Sequence, residues 1–229
     1  MSEISKIYKP EIMDCPFCKT KLVYCYAISN KLVYFSNGKR IRIKNLAYTC
    51  PKCNTHQVYV SQTANKLSFK GYSYSAKIVC MIDKMKEKHK SREEICDYFF
   101  NKNIEISDRN VDNLYHKFLE FLNLDYTTKI SHAFEEMSSK FNEIRLSIDL
   151  ITVCGTVYII VYDFFTTDLL ALKKFSSIAS FEIEEFLTSF LNKNLNITLI
   201  ATIRKDTVFF PLLKRLCPAN TKFISYQKF

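Results

Sequence analysis

A chain of 229 residues that is 48% hydrophobic, 24% charged and 14% aromatic is too apolar for disorder or low complexity, and it can form one ordinary domain or several small ones. No stretch reaches the roughly 18–20 consecutive apolar residues of a membrane span. Met1-Ser2-Glu3-Ile4-Ser5-Lys6 also lacks the apolar core of a secretion signal, so a cytoplasmic protein without a membrane partner is expected. The net charge of +10 is unevenly spread: residues 1–70 hold ten Lys and two Arg against Glu3, Glu11 and Asp14, whereas residues 71–122 hold nine bases and nine acids. Such a basic surface suits a polyanion, because neutralised phosphates release counterions, or else serves as a solvated face.

In chain order, the first motif is a pair of C-x-x-C sequences, Cys15-Pro16-Phe17-Cys18 and Cys50-Pro51-Lys52-Cys53. Two intervening residues let a tight turn aim both sulfurs at one ion, so Cys15, Cys18, Cys50 and Cys53 are expected to hold a structural Zn²⁺. Four sulfurs fill the tetrahedron and leave no open position for catalysis; His56 is surplus. Between the pairs, 21–28 and 32–35 read as strand and Asn37-Gly38 as a two-residue hairpin turn. Ile41-Arg42-Ile43-Lys44 then alternates apolar with basic residues, and 57–60 continues as strand. The remaining cysteines, Cys25, Cys80, Cys96, Cys154 and Cys217, stand alone in apolar surroundings and are expected to be buried.

Residues 72–122 carry three helix signals. Apolar residues recur at Ala76, Val79, Cys80, Ile82 and Met85, Ser91-Arg92-Glu93-Glu94 fits a capping box, and Ser107 is a candidate N-cap. The last of these helices has Val111, Leu114, Tyr115, Phe118 and Leu122 as an inward stripe, a helix-turn-helix plan or a plain three-helix bundle. Its polar face offers Arg109, Asn110, Asn113, His116 and Lys117 to DNA, with Lys39, Arg40, Arg42 and Lys44 of the hairpin supplying phosphate contacts.

A connecting helix at about 130–142 precedes strands at 144–150, 157–162 and 169–174, with Gly155-Thr156 breaking the first from the second. A helix at 181–191 capped by Ser180, a buried strand at 197–203, a helix at 207–216 and a strand at 222–226 follow. The order is β-β-β-α-β-α-β.

That order, with Asp149 in the first strand and Asp206 just beyond the fourth, resembles the RNase H-like core of DDE-type insertion-sequence transposases. The preceding zinc ribbon and helix-turn-helix are similar to the layout of several such families. The resemblance implies an α+β multidomain chain: zinc ribbon 1–70, helix-turn-helix 71–122, connecting helix 123–143 and core 144–229. It also implies Asp149 and Asp206 as catalytic carboxylates holding Mg²⁺, Asp163 as a structural strand-ending acid, and double-stranded DNA as partner, placing the protein at the nucleoid. A homodimer is compatible with this reading. The third carboxylate of these families, a Glu on a later helix, has no counterpart, since Glu182, Glu184 and Glu185 precede the fourth strand. The expectation is therefore a transposase-derived DNA-binding protein with an incomplete core, cut short before that Glu. Two alternatives are an active transposase whose remainder is supplied elsewhere and a zinc-ribbon regulator with a β-rich interaction domain.

Overall fold

The computed structural model describes residues 4–53, 57–69, 71–178, 181–192, 194–202 and 208–225. It divides into two compact units, Met1–His116 and Lys117–Phe229, of mixed helix and sheet.

The first unit contains β1 (Ile4–Tyr8), β2 (Val23–Tyr34), β3 (Arg40–Thr49) and β4 (Val58–Tyr59), with α1 (Gln62–Lys66), α2 (Ala76–Glu87), α3 (Arg92–Phe100) and α4 (Asp108–Leu122), the last running on into the second unit. The sheet is ordered β1-β3-β2, with β4 also on β3; β2 and β4 are antiparallel to β3, while β1 is parallel to it. β2 is one continuous strand rather than two pieces, because two bulges let it keep pairing past its breaks in pattern. The hairpin loop is three residues long, not two: Phe35 and Lys39 close it and Gly38 takes φ 78°. This is the type I turn plus left-handed residue that Gly tolerates.

A Cβ on Gly38 would sit 2.4 Å from the Lys102 carbonyl oxygen. Strain and clash add, so Gly38→Ala is expected to cost about 2 kcal/mol or more, read as a fall in the urea midpoint at constant slope. Unchanged stability would show that the turn has another way to relax.

Helices α2 to α4 form as their signals require. Ser91 and Glu94 make both bonds of the capping box, and the Ser107 hydroxyl accepts from the Asn110 amide. Ile78, Ile82, Ile95, Phe99, Ile104, Val111 and Leu114 are buried. The short turn lies between α2 and α3; α3 and α4 are separated by the longer stretch 101–107.

The second unit opens with the end of α4 and with α5 (Tyr126–Phe141), whose N-cap Asp125 bonds the Thr127 and Thr128 amides and starts the helix earlier than its apolar pattern indicates. Next come β5 (Ile144–Val153), β6 (Thr156–Asp163), β7 (Leu169–Phe175), α6 (Phe181–Thr188), β8 (Ile197–Thr202), α7 (Phe209–Leu216) and β9 (Lys222–Ser225). The sheet order is β7-β6-β5-β8-β9. β5, β6 and β7 are antiparallel neighbours, while β5, β8 and β9 run parallel. Cys154 and Gly155, both at positive φ, make the two-residue turn from β5 to β6.

Helices α5, α6 and α7 contribute Met137, Phe186 and Leu213 to one core with Leu146, Ile148 and Leu150 of β5. Alternation along β5 turns Ser147 and Asp149 to the other face, where Leu199, Ala201 and Phe164 form a smaller cluster.

Candidate functional site

The two C-x-x-C sequences sit on matching turns. The Cys15 amide bonds the Thr20 carbonyl, the Lys19 amide bonds the Cys15 carbonyl, and Lys19 takes φ 59° to close the first turn. In the second, the Cys53 amide points at Cys50 Sγ, 3.4 Å away. The hairpin then brings both turns together. Cys15 Sγ lies 3.6 Å from Cys53 Sγ and Cys18 Sγ lies 3.4 Å from Cys50 Sγ, and all four sulfurs fall within 4.8 Å of one another.

Among the described residues this is the only cluster of three or more Cys, His, Asp or Glu side chains that could hold a metal ion. Cys15 and Cys50 are buried and Cys18 and Cys53 half-buried. Hydrogen bonds from the Thr20 side chain and backbone pull the Cys18 thiol down to about 6, while hydrogen bonding with Cys18 pushes Cys53 up to about 12. Lowering the Cys18 pKa favours its thiolate, the form a metal ligand needs. Burial keeps the Tyr59 phenol protonated, and its hydroxyl lies 3.9 Å from Cys15 Sγ, where it can orient that sulfur from behind.

The other cysteines divide. Cys80 and Cys217 are buried, the latter pushed up to about 12 by burial. Cys96 is half-buried and donates to Asp108 Oδ1 at 3.0 Å. Cys25 and Cys154 are exposed, against expectation: Cys25 falls at a bulge of the outer strand β2, and Cys154 occupies a turn.

Arg40, Arg42 and Lys44 project from one face of β3, with buried Ile41 and Ile43 on the other. Ser5 and Ile7 of β1 and Leu32 and Asn30 of β2 pair with Arg42 and Lys44 and complete this cationic face. Lys39 is exposed at the turn, and Arg40 lies 3.7 Å from Glu105. On α4, Arg109, Asn113 and His116 are exposed and Asn110 is half-buried. Lys117, also half-buried, lies 2.5 Å from Glu120. The surroundings of α4 are acidic: residues 92–116 hold Arg92, Lys102 and Arg109 against Glu93, Glu94, Asp97, Glu105, Asp108 and Asp112. Asp112 in turn binds both Lys86 and Arg92, and these two cations hold its carboxyl below its usual range despite the opposing effect of partial burial. Of the two expected contact elements, β3 rather than α4 therefore carries the net positive face.

In the second unit Asp149 is buried at 3% exposure and pairs with Ile160 across the central strands. Asp206 lies outside the described residues, as do His56 and Ser180. Asp163 closes a turn, accepting from the Phe165 amide at 2.6 Å and the Thr166 amide at 3.1 Å, while burial raises its carboxyl pKa. Helix α6 packs on the opposite face of the sheet from Asp149, and its Glu184 pairs with Arg215 at 2.8 Å. No described helix is long and apolar enough to cross a membrane. Comparison with family models, with curated proteins and with solved structures returns no match.

Proposed function

We propose that the chain is a transposase-derived DNA-binding protein, with a zinc ribbon and a helix-turn-helix unit ahead of an RNase H-like core whose carboxylate set is incomplete. The observation that carries this reading is the second unit's sheet: three antiparallel strands in sequence, then two parallel strands each entered from a helix, with Asp149 buried in the central strand. The central strand of such a sheet is where RNase H-like enzymes carry a metal-binding Asp. Mg²⁺ is assigned to Asp149 with Asp206; a single pair of acids lacks the third ligand that two-metal phosphoryl transfer requires.

Zinc is assigned to the four cysteines. Zn–S bonds of ~2.3 Å in a tetrahedron place sulfurs ~3.8 Å apart, close to the 3.4 and 3.6 Å separations of this cluster. The role is structural, since all four positions are protein sulfur.

Double-stranded DNA is assigned to the cationic face of β3, with α4 contributing register more than affinity. The test is a mobility-shift series with the full chain from low to high salt. Arg42→Gln with Lys44→Gln is expected to lower the slope of log affinity against log salt by ~1.8, about 0.9 per phosphate contact. Asp149→Ala should leave affinity unchanged, and no nicking of plasmid in Mg²⁺ or Mn²⁺ is expected. Affinity indifferent to salt would overturn the DNA assignment. Cleavage abolished by Asp149→Ala would replace it with an active transposase.

A further inference from the structure

The β2–β3 hairpin is divided by charge. Its turn-proximal half carries Lys31, Lys39, Arg40, Arg42 and Lys44, whereas residues 22–30 and the facing residues 45–49 hold no charged side chain. Within the uncharged half every residue from Val23 to Ile28 is exposed, on both sides of the strand. Val23, Tyr24, Tyr26 and Ile28 are 46–55% accessible. β2 is an outer strand, and among the described residues its outer edge makes backbone hydrogen bonds only at Tyr34, with Ser73 and Ser75. A strand exposing consecutive apolar residues on both sides needs a reason beyond chance, since large exposed apolar patches mark contact surfaces.

We infer that this uncharged band is the contact between two copies of the chain, related by a two-fold axis through it. The charge division favours a second copy over a foreign protein, because a partner shaped for this cationic module would carry acids to meet its cations. A two-fold axis through the uncharged halves sends the two cationic halves to opposite ends, each beside the partner copy's Lys21, whose charge is met by Asp14 at 2.8 Å. From the band centre near Tyr26 the first cations, Lys31 and the Lys44 paired with Asn30, are four to five residues away at ~3.4 Å per residue, so the two cationic halves begin ~30 Å apart. That is several times the Debye length of ~8 Å, and the positive segments do not oppose association.

A nucleic-acid strand fits less well. Stacking platforms pair aromatics with adjacent free cations, whereas Val23 and Ile28 are aliphatic and the flanking cations are engaged, Lys21 with Asp14 at 2.8 Å and Lys31 with Ser68 at 2.7 Å. The register shifts at Cys25 and Ile28 twist the edge, so the contact is made by side chains rather than by an extended strand ladder. The buried area is on the order of 1,000 Å², the low end for a specific interface and the size class of weak, reversible association. None of this depends on the DNA reading.

The test uses the full zinc-loaded chain in sedimentation from low to high micromolar concentration. A monomer–dimer equilibrium is expected, shifted at least tenfold toward monomer by Tyr26→Lys with Ile28→Lys while zinc content stays at one per chain. Cys25 lies inside the band and supplies a second readout on the otherwise unaltered protein. A short bismaleimide should give a covalent dimer that Cys25→Ser abolishes and Cys154→Ser, at the other exposed thiol, does not. A wild-type chain that stays monomeric, a dimer that survives the double substitution, or crosslinking that persists in Cys25→Ser would each overturn the inference. So would a monomer whose Cys25 is protected from maleimide by an added oligonucleotide, which would identify nucleic acid as the occupant.

Discussion

Cys50→Ser together with Cys53→Ser is expected to take metal content from one ion per chain to none and to unfold the region around the two turns. The buried cluster there consists of Cys15, Cys50, Leu22 and Tyr48, with Met13, Leu46 and Tyr59 packed around it. Half of that core is ligand. Leu22 and Tyr48 alone bury too little apolar surface to offset the ordering of two loops, so the stability is expected to come from a bound metal. Structural zinc contributes apparent free energies on the order of 10 kcal/mol in isolated fingers, far more than any single contact in this unit. Elemental analysis and the rate of tryptic cleavage after Lys19 and Lys52 would read the loss. Full metal content in the double variant would refute the site, and faster cleavage on adding a chelator to the wild type would confirm that metal and fold are linked.

Tyr158→Ala carries the second large effect, in the other unit. Its ring is fully buried in β6, packs edge-on against Phe118 at a centroid distance of 5.9 Å, and lies 5.7 Å from the Lys174 ammonium. Truncation leaves a ring-sized cavity, for which aromatic-to-Ala changes cost ~3–5 kcal/mol. Over a unit of this size that corresponds to a fall in melting temperature of roughly 10–20 °C. Zinc content should stay at one per chain, because all four ligands lie in the first unit. A melting temperature within a few degrees of wild type would mean that the neighbouring side chains collapse into the space.

The features legible in the sequence are those encoded by near neighbours. The Ser91–Glu94 capping box, the position though not the length of the Asn37-Gly38 turn, and the order of elements from β5 to β9 depend on residues a few positions apart, and each appears where its chemistry requires it. The paired cysteines are legible for a different reason: thiols two residues apart in two places have few uses other than one ion. What escapes is set at long range. Ile4–Tyr8 is an unremarkable pentapeptide whose strand state comes from parallel pairing with residues 41–45. The exposure of Cys25 depends on which strand lies at the sheet edge, and its apolar neighbours carry no record of that. The acidic setting of α4 was present in the composition, yet only the structure shows Arg40, Arg42 and Lys44 sharing one face of β3.

Helix α1 is five residues long, too short to persist alone in water, and its first turn is held by a carboxylate far away in the chain. Glu11 accepts from the Ser61 hydroxyl and from the amides of Gln62 and Thr63, while Asn45 bonds both the amide and the carbonyl of Ser61. Three distant parts of the chain must meet before this turn can exist, so its formation is a late event, delayed by the entropy of closing those loops. The Gln62 and Thr63 amides accordingly make a natural clock. Pulse-labelled hydrogen exchange during refolding should protect them after the helical amides of α2 and α3, at the moment the N-terminal strand docks.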